Sequence, residues 1–230
     1  MDPTPAAIAV SLWLLAAALA FLGIRGVREY LARRVWVQLM WAAGLVLASL
    51  AMVVEAVVYD GVVTVPLLQA YIFLSAALVG VLSLGATRVL RSPRLERGYS
   101  LFIWAATAVV GVISFVVPVS PSQMVSPRGL GGIISGSPPL SLILASTVIT
   151  GPATVVLLAS AIVGLRRSRK WQTLLLIAGA LVLGAGGTLY IASFPVFLYY
   201  AEFIGIILLF FGIISLPKVA APAAAPAPTT

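Results

Sequence analysis

The sequence predicts an all-α membrane protein with seven transmembrane helices. Three observations support this fold class: 62% of the 230 residues are hydrophobic, only 9% are charged, and the basic residues collect in alternate gaps between long apolar runs. A soluble domain is usually about 45–50% apolar and about 25% charged. A soluble fold could not cover its surface with this composition.

Seven apolar runs reach the length of about 20 residues that crosses about 30 Å of hydrocarbon. They cover residues 6–24, 35–58, 66–87, 99–117, 139–165, 171–192 and 195–216. Their continuous apolarity predicts helices, because the strands of a membrane barrel alternate over about 10 residues. We therefore expect residues 1–217 to form one membrane domain, and the Pro- and Ala-rich residues 218–230 to form a disordered cytoplasmic tail.

The basic residues predict how the helices are oriented. Every Lys and Arg except Arg128 falls in an alternate gap or after the last run. The positive-inside rule makes those gaps cytoplasmic, so the N-terminus is outside and the C-terminus inside. The net charge of +8 then indicates contact with anionic lipid headgroups at the cytoplasmic face, and not with nucleic acid. The arginines that define this topology include Arg33, Arg34, Arg91, Arg94, Arg166 and Arg167.

Missing residue types exclude several kinds of chemistry. The chain has no Cys, His or Asn. It therefore lacks thiolates, the commonest metal ligand and the usual general base, and we expect no metal site and no cofactor. Intramembrane acid–base catalysis by two acids remains an alternative, but no nucleophile and base can be paired. We therefore expect a protein that is not an enzyme.

Two carboxylates lie inside the apolar runs, Glu55 in the second and Glu202 in the seventh. A charged group at mid-bilayer costs at least about 2.5–3.5 kcal/mol, so an acid in a span is a candidate for function. The predicted orientation of the runs places both acids in the outer half of the membrane. We expect them to line a ligand-binding site with four polar side chains at the same level: Gln69, Tyr71, Tyr199 and Tyr200.

Each of these residues also has a structural interpretation. Tyr at a membrane interface belongs to the normal aromatic belt. Glu55 is near enough to the outer end of its run to reach the surface. Glu202 could instead make a buried structural hydrogen bond or pair with Arg128.

The longest gap, residues 118–139, is rich in Pro, Gly and Ser and predicts a solvated connecting loop outside the membrane. A loop of this length is alternatively a lid or binding element. Small residues in the last two runs predict close helix packing, with unwinding of the sixth helix as the alternative. These packing glycines are Gly179, Gly184, Gly187, Gly205 and Gly212.

The first three and last three runs have the same directions, which suggests a 3+1+3 repeat. Each third run begins with Pro, at Pro66 and Pro195, and has Tyr five residues later. The alternative is chance similarity between apolar runs of Ala, Gly, Leu and Val.

Three resemblances bear on function. The topology resembles that of microbial rhodopsins, but the seventh run lacks the Lys that binds retinal. It also resembles seven-helix sugar transporters, whose Pro–Gln and Asn-containing motifs are absent. The segments VVEAVVYDG and YYAEFIGIILLFFG, and the arginines after the third run, resemble a group of prokaryotic seven-helix membrane proteins without an assigned activity. This last resemblance implies a multi-pass protein of a prokaryotic cytoplasmic membrane.

These observations lead to one expected function and one alternative. We expect non-enzymatic binding or transport of a small solute or ion through the outer-half polar site. The alternative is a membrane scaffold, sensor or accessory subunit that acts through a protein partner or as a homo-oligomer.

Overall fold

The computed structural model describes residues 5–34, 36–87, 90, 92–125 and 138–168, together with the short pieces 174–175, 178–179, 181–182, 204–205, 207–208 and 211. Helices joined by turns and short connecting segments make up the described part, which has no strand. Its helices are α1 Pro5–Arg33, α2 Trp36–Tyr59, α3 Val65–Thr87, α4 Pro93–Val116, α5 Pro121–Met124 and α6 Leu140–Ser168.

Five helices in the described ranges are long and apolar enough to cross a membrane. Their membrane-length segments have 23 or 24 residues, or about 35 Å at 1.5 Å per residue. The prediction of helices with the length and apolarity of a membrane span is therefore confirmed for the first five runs. The sixth and seventh runs and the tail 218–230 lie largely or wholly outside the described residues. The five segments are Ala9–Ala32, Trp36–Tyr59, Val65–Thr87, Pro93–Val116 and Leu140–Val163.

The helices extend beyond the apolar runs at the arginine-rich gaps, which corrects two predicted boundaries. The first run was expected to end at residue 24, but α1 continues to Arg33 and ends where Arg34 takes a left-handed φ of 53°. The fourth was expected to begin at residue 99, but α4 begins at Pro93 and includes Arg94 in its first turn. Apolarity marks the part of a helix in hydrocarbon, whereas backbone hydrogen bonding continues through the headgroup layer.

Two further topology-defining arginines also lie within a helix. Arg166 is exposed near the end of α6, and Arg167 follows it in the same helix. Arg91 lies outside the described residues. On α1, the Nε of Arg25 lies 3.5 Å from the Oε1 of Glu29. Both side chains are exposed, so this pair stabilises the helix by only about 0.3–0.5 kcal/mol.

The first three long helices form two successive antiparallel pairs, and α3 lies at the centre. It packs against α2, α4 and α6, whereas α1 packs along α2. Helix α6 runs parallel to α3, because its side chains meet that helix in the same order. Leu142 shares a cluster with Leu68. Leu157 shares one with Ala86, nearer the other end.

This order brings the exposed Arg28, Arg34, Arg94, Arg97 and Arg166 to one end of the bundle, here called the basic end. The other end, here called the distal end, carries the turn between α2 and α3. In that turn the N–H of Gly61 bonds to the carbonyl of Val58, and the N–H of Val62 bonds to that of Val57. This is a Schellman helix end, and it needs the left-handed φ of 95° that Gly61 adopts.

Small residues set the close approach of the central helices. A Cβ built on Gly80 of α3 would lie 2.9 Å from the Cγ2 of Ile149 and 3.3 Å from that of Ile103. One built on Gly85 would lie 2.7 Å from the Cδ1 of Trp41. Of the glycines predicted to pack, Gly179 and Gly205 are helical and buried. Gly184, Gly187 and Gly212 lie outside the described residues.

Four of the five long helices, α1, α2, α4 and α6, present large apolar side chains outward. Large exposed examples are Phe21 on α1, Leu101 and Val112 on α4, and Val155 on α6. Exposed apolar faces of this extent suit contact with lipid chains, since a water-soluble monomer rarely leaves such patches uncovered.

Candidate functional site

Three of the predicted site residues meet at one level near the distal end. Glu55 lies four residues before the end of α2, and Gln69 and Tyr71 lie four and six residues after the start of α3. At 1.5 Å per residue, all three are about 6–9 Å from the ends of their helices. Because α2 and α3 are antiparallel, the three side chains lie at the same depth.

All three side chains are buried. Glu55 is 2% exposed, Tyr71 5% and Gln69 8%. Glu55 therefore does not reach the surface, which was the structural interpretation offered for it. Tyr71 belongs to an apolar cluster at this end of the bundle, and Met52 and Ala56, which flank Glu55 on α2, belong to it too. A carboxyl group in such surroundings is costly unless a specific interaction or a proton compensates it.

Gln69 caps the C-terminal end of α4, a role that the sequence did not predict. Its Nε2 donates hydrogen bonds to the carbonyl of Val117 at 3.0 Å and to that of Phe115 at 3.4 Å. These carbonyls lie at the C-terminal end of α4, where the last four have no partner within the helix. An amide nitrogen has two protons, and both are used here. Gln69 therefore caps α4, and its nitrogen does not line an open site.

The first part of the predicted outer loop covers this polar level. Residues 117–125 leave α4, form the short helix α5 and return to the bundle, where Val119 is 4% and Met124 1% exposed. Both side chains pack in the same cluster as Tyr71. This part of the segment is thus a packed cover and differs from the solvated connector that was predicted. Its continuation, residues 126–137, lies outside the described residues.

The seventh-run members of the predicted site, Tyr199, Tyr200 and Glu202, lie outside the described residues. Arg128, the predicted alternative partner of Glu202, does so too. Within the described ranges, no three carboxylate side chains come close enough together to hold a metal ion. The described half of the site therefore consists of a buried acid, a buried phenol and a capping amide.

Two buried polar links were missed by the sequence analysis. The hydroxyl of Ser49 donates to the carbonyl of Ala16 at 2.8 Å and joins α2 to α1. The hydroxyls of Ser83 and Tyr99 lie 2.7 Å apart and join α3 to α4 near the basic end. The presence of Ser in an apolar run could have indicated these links, because interhelical hydrogen bonds in membranes often use Ser.

Comparison with known proteins gives no counterpart for this arrangement: no protein-family model matches the chain, and a search among curated proteins finds no relative. The interpretation of the site therefore depends on its own residues.

Proposed function

We propose that this chain is a seven-helix protein of a prokaryotic cytoplasmic membrane that binds or transports a small solute or ion without catalysing a reaction. The observation that carries the proposal is Glu55, a carboxyl group 2% exposed inside a membrane-length helix. An acid buried within a span is costly unless it is compensated, and acids kept in spans commonly carry protons or cations.

The proposed ligand is a proton or a small cation, because a carboxylate is the described group that attracts either. The hydroxyl of Tyr71 lies at the same depth and supplies a second oxygen. Glu202, Tyr199 and Tyr200 of the proposed seventh helix complete the site. Gln69 supports it indirectly by fixing the end of α4 beside it.

The proposed orientation has the N-terminus outside and the basic end in the cytoplasm. Its support is the positive-inside distribution of Arg34, Arg94 and Arg166 in three alternate gaps, the first, third and fifth. The site then opens toward the external face, and α5 forms its cover. A cation would reach Glu55 from outside after movement of this cover.

The test is flux in proteoliposomes that contain the purified chain, with a pH-sensitive dye inside and a gradient of protons, Na⁺ or K⁺ across the membrane. We expect flux that falls in Glu55→Gln and in Glu202→Gln, because each change removes a charge from the site. Glu29→Gln is the matched control, since Glu29 is an exposed acid on α1. Full flux in a folded Glu55→Gln protein would remove this acid from the mechanism.

A second candidate function is that of a membrane scaffold, sensor or accessory subunit. The observation that favours it is the long exposed apolar faces of α1, α4 and α6, which offer surface for another membrane helix as well as for lipid. This function predicts no flux in proteoliposomes, and capture of a membrane partner or a second copy by cross-linking in mild detergent. A monomer that captures neither would count against it.

A further inference from the structure

A groove runs along α4 at the basic end of the bundle. The groove is open to its surroundings and has a volume of about 560 Å³. Its lining residues all belong to α4: Pro93, Glu96, Arg97, Ser100, Leu101 and Trp104. Their spacing of three and four residues places them on one side of the helix. Glu96, Arg97 and Ser100 lie in the first two turns, after Pro93, and the apolar Leu101 and Trp104 lie deeper.

The length of the groove matches the membrane boundary. Trp104 lies eleven positions after Pro93, which is about 16 Å along the helix axis. The headgroup layer of one leaflet is about 5–7 Å thick, so the groove also covers about 10 Å of the adjacent hydrocarbon. A ligand that fills it must be polar at one end and apolar at the other.

The charge around the polar end favours an anion. Residues 88–97 contain four Arg and one Glu, a local net charge of +3. Arg97 is exposed, and Ser100, one turn further along the helix, is half-buried. The groove begins at the N-terminal end of α4, where free backbone N–H groups add positive potential.

The deeper end favours a hydrocarbon chain. Leu101 is 74% and Trp104 45% exposed, although both belong to a membrane-length helix. Trp is the residue that most often marks the level between headgroups and chains. A soluble anion such as inorganic phosphate would leave this half of the groove uncovered.

We propose that this groove binds one anionic glycerophospholipid. Arg97 contacts the headgroup phosphate and Ser100 donates a hydrogen bond to it, while one acyl chain lies along Leu101 and Trp104. Headgroups with net negative charge are preferred, because residues 88–97 carry a net charge of +3 with Glu96 included. A zwitterionic headgroup has no net charge that could balance it. This site is independent of Glu55, which lies at the distal end.

The test uses the full chain in phosphatidylcholine vesicles that contain a minor fraction of lipid with brominated acyl chains, which quench nearby Trp fluorescence. Brominated phosphatidylglycerol should quench more than brominated phosphatidylcholine. The excess quenching should disappear in Trp104→Phe. Titration should show binding about fivefold weaker in Arg97→Gln, as expected for one arginine worth about 1 kcal/mol near anionic lipid.

Arg28→Gln is the matched control. Arg28 is exposed on α1 at the basic end, in a stretch, residues 25–34, that also has four Arg and one Glu, and it does not line the groove. The Arg28→Gln protein should bind phosphatidylglycerol as tightly as the unmodified chain. Equal weakening by Arg28→Gln and Arg97→Gln would overturn the proposal in favour of general surface charge. Equal quenching by the two brominated lipids, or competition by inorganic phosphate, would overturn it as well.

Discussion

The hydroxyl groups of Ser83 and Tyr99 lie 2.7 Å apart between α3 and α4. Ser83 is fully buried, and it donates its only proton to the carbonyl of Gly80 at 2.6 Å. Tyr99 must therefore donate to Ser83, because a hydroxyl has one proton to give. The direction of this bond makes the two partners unequal.

Removing Ser83 and removing Tyr99 should therefore lower the free energy of unfolding by different amounts. Tyr99→Phe leaves Ser83 bonded to Gly80 and should lower the free energy of unfolding by about 0.5–1.5 kcal/mol. Ser83→Ala leaves the buried hydroxyl of Tyr99 without its acceptor and should lower the free energy of unfolding by about 1–3 kcal/mol. Adding Tyr99→Phe to Ser83→Ala should then restore part of the loss. Unfolding in mixed micelles measures all three proteins. A larger loss in Tyr99→Phe than in Ser83→Ala would contradict the assigned direction, and additive losses in the double variant would contradict the bond itself.

Gln69→Leu should loosen the cover of the distal end. The change leaves the carbonyls of Phe115 and Val117 without their donor, at a cost of about 1–3 kcal/mol if they stay buried. Amide hydrogen exchange should rise in residues 117–125, which follow this cap. Peptides from the α1–α2 pair serve as the internal control. Unchanged exchange in residues 117–125 would mean that the two bonds do not hold the segment.

Gly80→Ala and Gly151→Ala should shift stability in opposite directions. A Cβ on Gly80 meets the Cγ2 of Ile149 at 2.9 Å, so either this side chain or the α3–α6 spacing must shift. Overpacking of this kind costs about 1–3 kcal/mol. A Cβ on Gly151 of α6 meets nothing within 4 Å, so the better helix propensity of Ala should stabilise that helix by up to about 1 kcal/mol. The same unfolding assay compares the two, and a Gly80→Ala protein of full stability would refute the contact.

Single cysteines can test the proposed orientation directly, because the chain contains none of its own. Val62 is 52% exposed in the turn between α2 and α3, and Ser92 is exposed just before α4. A membrane-impermeant maleimide added to intact cells should label Val62→Cys. It should label Ser92→Cys only after the membrane is permeabilised. The reverse pattern would invert the proposed topology.

The sequence predicted the helices better than the contacts between them. Apolar runs locate the hydrocarbon-spanning part of each helix, so the first five spans were found. They could not locate the helix ends, because the Arg25–Glu29 turn is helical without being apolar. The depth of Glu55 and Tyr71 followed from counting residues along antiparallel helices. Their burial did not, since it depends on which side of α2 and α3 faces the neighbouring elements.

The role of Gln69 shows why side-chain partners escaped prediction. Its acceptors are 46 and 48 residues away in the chain, at the point where α4 ends beside α3. No local pattern encodes that meeting, because it depends on the rotation and the offset of two helices. The packing glycines were similarly hard to identify. Gly85 matters because Trp41 of α2 faces it, and the sequence alone does not pair the two.

The third of α3 nearest the basic end, residues 80–87, is buried at every position. With a mean hydropathy of 2.1, α3 can enter the bilayer without help. During synthesis it must nevertheless wait in lipid until α4 and α6 emerge, with the surface around Gly80 uncovered. Completion of α6 is therefore the step that covers this surface of α3. A chain truncated before Leu140 would expose this surface of α3 to the proteases and chaperones that recognise unfinished membrane proteins.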